Sequence, residues 1–209
     1  MKTKKVLVIG LLAVIISFIR IPGNAEAGKL LDMVTPDYFG ADFCYGAEDG
    51  IGTDSATTDY NCKALAIKAG KHLKNRRYRI EAAVELARHD TSGLKDKGGN
   101  SLFVDIYGFR DFRIPKTTSD FYIGAGVGAG TMFPRHNQPC LGDSGVLGSL
   151  GAKAGIRIPC SKKTYLSIEA FYKHISDPFR DSDDKQYIDH EGDIGRNFSG
   201  IATGFTAYF

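Results

Sequence analysis

The clearest chemical feature of the chain is a histidine and a serine two positions apart, His174 and Ser176, in the segment YLSIEAFYKHIS. On a β-strand both side chains lie on the same face, with their Cα atoms about 7 Å apart. An imidazole that accepts the proton of a serine hydroxyl makes the oxygen a nucleophile toward an acyl carbonyl. The spacing therefore predicts an activated serine, although two exposed residues at the end of a strand satisfy it equally.

The segments around this pair alternate in polarity with a period of two. Between Tyr78 and Leu86 every even position is apolar or aromatic, and the odd positions include Arg79, Glu81 and Glu85. Residues 65–69, 121–131 and 150–158 alternate in the same way, with glycine, alanine or charged residues on the second face. This period predicts β-strands that each have an apolar face and a polar or small face.

Either face of such strands can point inward. A soluble sandwich or an apolar-ligand carrier buries the apolar face, whereas a transmembrane barrel turns it to lipid and fills its lumen with charges. Opposite charges mixed with small residues suit a narrow lumen. The final strand places Ile201, Phe205 and Phe209 on one face, as in bacterial outer-membrane barrels, and the tryptophan typical of a lipocalin is absent. We therefore expect the inverted arrangement, with the charged residues paired inside.

The spacing predicts an all-β fold, an eight-stranded antiparallel up-and-down transmembrane β-barrel. Long connections are expected at the outer end and short ones at the periplasmic end, and the fourth strand is the least regular because it mixes aromatic and acidic residues on one face. The expected strands are 37–45, 61–71, 77–88, 101–112, 120–132, 146–158, 164–176 and 198–209.

The first 27 residues read as a signal peptide, so the barrel is expected over 28–209. A basic start is followed by an apolar run at 6–19 and by Ala25 and Ala27, small residues at the positions that a signal peptidase reads. A retained anchor is the alternative. Removing the four basic residues and one acidic residue of 1–27 from totals of 27 and 24 leaves 23 of each, so the mature chain is neutral and nucleic acid is not expected as a partner.

Export makes the four cysteines candidates for oxidation. Cys44 ends the first expected strand and Cys62 begins the second, at the same rim and on the same face, so we expect a disulfide between them. Cys140 and Cys160 fall at opposite ends of the barrel. A bridge between them within one chain is therefore not expected.

Three stretches, 120–132 (DFYIGAGVGAGTM), 147–158 (LGSLGAKAGIRI) and 165–176 (YLSIEAFYKHIS), resemble the PagL family of outer-membrane lipid A 3-O-deacylases. That family has an eight-stranded barrel and a histidine-x-serine pair near the end of strand seven. The resemblance implies that Ser176 is the nucleophile and His174 the general base. It further implies that the substrate is an ester-linked acyl chain of lipid A in the bacterial outer membrane, hydrolysed without a metal or cofactor. A homodimer stays open.

Two positions depart from the family pattern. The family has asparagine after the serine, where this chain has Asp177. It also has an acid at the start of strand eight that orients the histidine, and counting back from the C-terminus puts Ser199 there. Glu191, in the preceding connection, is our prediction for the missing acid. A catalytically degenerate barrel, acting as an adhesin, surface-binding or structural protein, is the alternative function.

Overall fold

The computed structural model describes residues 35–50, 60–73, 77–91, 98–134, 146–176 and 196–209. The signal peptide expected at 1–27 lies outside these residues. One compact unit, Tyr38–Phe209, contains all the described strands. They are β1 (Tyr38–Gly50), β2 (Tyr60–His72), β3 (Tyr78–Thr91), β4 (Gly98–Arg113), β5 (Asp120–Pro134), β6 (Leu147–Pro159), β7 (Thr164–Ser176) and β8 (Arg196–Tyr208).

The strands form a closed antiparallel barrel in which each pairs with its neighbours in sequence and β8 pairs back onto β1. This confirms the predicted fold class and strand order. The strands are 13 to 16 residues long, enough to cross a bilayer at a tilt. The largest difference from prediction is at β1, which continues to Gly50 rather than ending at 45 because its last residues pair with β8.

The barrel is inverted relative to a soluble protein. Outward-facing apolar side chains are well exposed, for example Ile67 at 62%, Val127 at 61% and Ile201 at 61%, and buried inward-facing residues include Glu81 and Glu169. Lipid replaces water around such a surface. No described helix is long and apolar enough to span a membrane.

Ion pairs fill the lumen, as the sequence predicts. Lys153 Nζ lies 2.9 Å from Glu169 Oε1, and Arg79 Nη1 lies 2.9 Å from Glu81 Oε2. Lys173 Nζ contacts both Asp105 Oδ2 at 2.8 Å and Glu85 Oε1 at 3.0 Å. The Arg79–Glu81 pair lies within β3, whereas the contacts of Lys153 and Lys173 join different strands, so paired charges fill the interior rather than line an open channel.

The lumen also explains the irregular pattern of β4. Its aromatic residues Phe103, Tyr107 and Phe109 are buried inside, each directly opposite a glycine of β5. A Cβ atom built on Gly126 would overlap the Tyr107 ring, and one on Gly130 would lie 2.5 Å from the Phe103 Cδ1 atom. The glycines of β5 thus make room for large β4 side chains in a narrow barrel.

The predicted disulfide is wrong. Cys44 and Cys62 both face the lumen and are buried, but neither is disulfide-bonded. Both cysteines are on the same face of the sheet, as expected. The pairing of β1 with β2 does not place them opposite each other, because Cys44 lies opposite Ala64 and Cys62 opposite Gly46. Diagonal neighbours in a sheet are about 7–8 Å apart, beyond the usual Cα separation of a disulfide. Cys160 is a free thiol in the β6–β7 turn, and Cys140 lies outside the described residues.

Candidate functional site

His174 and Ser176 lie at the end of β7, and Ser176 is the last residue of the strand. Both side chains are half-buried on the outward face, whereas their neighbours Lys173 and Ile175 are buried in the lumen. The other end of β7 joins β6 through the short turn 160–163, so the pair sits at the end of the barrel with the long connections. The shared face and the position match the sequence prediction.

Asn197 of β8 and Tyr172 of β7 join His174 in one small hydrogen-bonded group. Asn197 on β8 lies directly opposite His174, and its Oδ1 atom is 2.9 Å from the histidine Nδ1. Tyr172, two residues before the histidine on the same face, donates its hydroxyl to the same Oδ1 atom at 2.7 Å. One amide oxygen therefore anchors both aromatic rings at this end of the barrel.

This arrangement sets the proton position on the imidazole. With Asn197 Oδ1 as the acceptor, the histidine Nδ1 carries the proton and Nε2 keeps its lone pair. A neutral histidine in that tautomer is a base at Nε2, the state needed to accept a serine proton. An amide, unlike a carboxylate, carries no charge with which to stabilise the imidazolium that this transfer creates.

Ser176 lies opposite Gly148 of β6, which has no side chain. In the part of the chain that the structure describes, the position paired with Ser176 on β6 therefore places no side chain over the serine hydroxyl. Among the described residues, no hydrogen bond joins the Ser176 hydroxyl to His174. Hydrogen bonds of this kind are often long in free enzymes and tighten with substrate.

The described side chain that contacts His174 from β8 is not among the residues predicted from the sequence. Ser199 lies opposite Tyr172, and Asn197 lies opposite His174. Asn197 is on the same face of β8 as Ile201. This shared odd-numbered parity is visible in the sequence, whereas the register that pairs Asn197 with His174 is not.

The remaining candidates cannot be placed around the site. Glu191 and Asp177 lie outside the described residues. No group of three potential metal ligands occurs among the described residues.

A histidine–serine hydrogen bond lies inside the barrel, away from His174 and Ser176. His89 Nε2 on β3 is 2.8 Å from Ser101 Oγ on β4, and both side chains are buried. The two residues border a small cavity that is also lined by Cys44, Cys62 and Lys173. Their separation of 12 positions hides the contact from any motif search. Because the cavity lies within the lumen, it is a different environment from the lipid-facing pair.

Comparison with known proteins supports the fold and leaves the activity open. No family model matches the chain, and no curated protein matches it in sequence. The structure of the Neisserial surface protein NspA is similar, with a TM-score of 0.58 and 14% identity over 82% of this chain and 96% of that one. The outer-membrane enzyme PagL is similar with a TM-score of 0.53 and 13% identity, over 81% of this chain and 99% of that one. The chain therefore has the fold of the small outer-membrane β-barrels, a fold that an enzyme and a surface protein share.

Proposed function

We propose that the chain is an outer-membrane esterase that removes an ester-linked acyl chain from lipid A of lipopolysaccharide. Ser176 acts as the nucleophile and His174 as the general base. The reaction needs neither a metal nor a cofactor, because the imidazole activates the hydroxyl directly and water completes the hydrolysis of the acyl-serine.

One observation carries the proposal: the His174 ring is held by Asn197 on the lipid-facing surface, two residues from a serine, at the end with the long connections. The end of the barrel lies near the membrane surface, where the ester bonds of a lipid connect the headgroup to the acyl chains. A substrate in the outer leaflet thus meets Ser176 by lateral diffusion, without leaving the membrane. The fold shared with PagL and the resemblance of 120–176 to its family point the same way.

Mass spectrometry of lipid A from cells that express the chain tests the proposal. The wild-type chain is expected to yield a lipid A species lighter by one ester-linked acyl chain, and Ser176→Ala is expected to abolish it. Ser199→Ala is the matched control, since Ser199 is likewise an outward-facing serine, on the adjacent strand, and is more exposed than Ser176. Unchanged product from folded Ser176→Ala protein would remove Ser176 from the mechanism.

The role of Asn197 gives a gain-of-function test. Asn197→Asp places a negative charge about 3 Å from His174 Nδ1, where it stabilises the imidazolium of the transition state. The reverse change in a serine protease triad costs roughly 10⁴-fold in rate, so we expect kcat/KM to rise at least tenfold, measured on a short-chain ester in detergent. A rate that is unchanged or lower would exclude an orienting role for residue 197.

A non-enzymatic surface-binding barrel is the second candidate. It is favoured by the amide at position 197, because a degenerate relative has no need of a charged partner for its histidine. In that case Ser176→Ala and Asn197→Asp would leave lipid A unchanged, while shortening the connection 177–195 would reduce binding of whole cells to a surface. Deacylated lipid A in cells with the wild-type chain, and none in cells with Ser176→Ala, would exclude this alternative.

A further inference from the structure

Three exposed basic side chains lie at the end of the barrel opposite His174. They are Arg110 and Arg113 near the end of β4 and Lys116 in the turn to β5, and we call them the basic corner. The short turns lie at this end, so the corner is in the leaflet opposite to the one that contains Ser176.

Arg110 is a charged residue on the lipid-facing surface. Its guanidinium lies 5.8 Å from the ring centre of Tyr78 and 5.0 Å from that of Phe112. It makes no ion pair with any described carboxylate. An outward arginine is strongly unfavourable at the bilayer midplane and nearly neutral at the interface, so Arg110 belongs at headgroup level.

A belt of outward aromatic side chains marks that level independently. Tyrosine and phenylalanine rings concentrate at the interfaces of membrane barrels. The exposed aromatic residues of this end are Phe39, Tyr78, Phe112, Phe121, Phe205 and Phe209. Arg110 lies within this belt, beside the rings of Tyr78 and Phe112.

The turn beside Arg110 retains a lysine in a conformation that disfavours it. Lys116 has a φ of 63°, in the left-handed region, and the Thr117 amide donates to the Ile114 carbonyl at 3.2 Å. Such a turn favours glycine or asparagine at this position. The Lys116 side chain is exposed in this turn, next in sequence to the end of β4.

The corner has little internal charge compensation. The side chain of Arg113 is 63% exposed and lies 3.5 Å from Asp120. The same carboxylate is 3.5 Å from Arg157, so its charge is shared between two guanidinium groups. The corner therefore has three positive charges against one described carboxylate, with Arg110 on the lipid-facing side of β4 and Arg113 on the other side, at the rim.

We propose that the basic corner binds the phosphate of an anionic glycerophospholipid in the periplasmic leaflet. Arg110 offers paired N–H donors to the phosphate oxygens, as guanidinium groups do, and Arg113 and Lys116 add charge from the rim. The rings of Tyr78 and Phe112 hold the arginine in place and contact the upper acyl chain. This site is separate from the proposed esterase centre and does not depend on it.

Native mass spectrometry of the full chain in detergent, titrated with phosphatidylglycerol or with phosphatidylcholine, tests the proposal. We expect phosphatidylglycerol to bind more tightly than phosphatidylcholine. Arg110→Gln is expected to weaken phosphatidylglycerol binding about fivefold, because each basic residue near a membrane surface strengthens the binding of anionic lipid by roughly that factor. Arg110→Gln/Lys116→Gln is expected to lose about 25-fold. Arg110→Lys, which keeps the charge without the paired donors, should fall between wild type and Arg110→Gln.

Arg88→Gln is the matched control, because Arg88 is also an exposed arginine but lies near the other end of β3. Its affinity for phosphatidylglycerol should equal that of the wild type, and heat-modifiable migration on gels shows that each variant is folded. Equal binding of the two lipids by the wild type would overturn the proposal. So would an equal loss in Arg88→Gln, or displacement of the lipid by inorganic phosphate at constant ionic strength.

Discussion

Replacing Lys153 by methionine tests whether the charges inside the barrel are paired in a dry environment. Lys153 donates to Glu169 at 2.9 Å, and the Tyr122 hydroxyl donates to the other carboxylate oxygen at 2.9 Å. The Lys153 and Glu169 side chains are only 7% and 3% exposed. Lys153→Met leaves a buried carboxylate with one neutral donor, and removing one partner of a buried pair costs about 3–5 kcal/mol. A water-filled lumen would reduce the loss to about 0–1 kcal/mol.

Urea unfolding of the barrel in detergent micelles, followed by far-UV circular dichroism, measures this loss. The double variant Lys153→Met/Glu169→Gln removes both charges and is expected to recover much of the stability, which gives a coupling free energy of about 2 kcal/mol or more. Lys63→Met is the control, because Lys63 is exposed on the outward face of β2. If Lys153→Met were as harmless as Lys63→Met, or the double variant no more stable than the single one, the lumen would not be the dry ion-paired core described above.

Two further predictions concern the interior. Gly126→Ala is expected to destabilise the barrel by about 1–3 kcal/mol in the same assay, since its Cβ overlaps the Tyr107 ring. Gly108→Ala, where nothing lies within 4 Å of the added Cβ, should change stability by less than about 0.5 kcal/mol. Cys44 and Cys62 are expected to react with a maleimide after unfolding without reductant and to react slowly in the folded barrel, because both thiols are buried. A 44–62 disulfide-linked peptide in the mass map, or equal effects of the two glycine variants, would contradict these expectations.

Strand number, order and facing direction follow from the sequence because each depends on a local period. Alternation at i and i+2 assigns a face to every residue, and a closed barrel makes one set of faces uniformly lipid-exposed. The end of β1 does not follow from the sequence, because its last residues show no such period. Gly46 and the residues after it resemble a loop in composition, and their strand conformation comes from pairing with β8.

The pairing register between strands is harder to predict. It explains two differences between the prediction and the structure, one at Cys44 and Cys62 and one at the residue opposite His174. Cys44 lies opposite Ala64, two residues along β2 from Cys62. A shift of two residues keeps both cysteines on the lumen face but separates their side chains along the strands. Asn197 is likewise two residues from Ser199, the position obtained by counting back from the C-terminus. The register of the β7–β8 pair places Asn197 opposite His174. Register is a sum over many cross-strand contacts, so no single residue reveals it.

Spin labels at Ile67, Val127 and Ile201, in a cysteine-free barrel in liposomes, show whether the apolar faces contact lipid. These are outward positions with exposures of 61–62%. An inverted barrel gives high collision rates with oxygen, which concentrates in the bilayer, and low rates with a water-soluble nickel chelate. A label at Lys163, in the exposed β6–β7 turn, should show the reverse. Strong nickel collisions at the three apolar positions would contradict the inverted barrel and remove the membrane setting of His174 and Ser176.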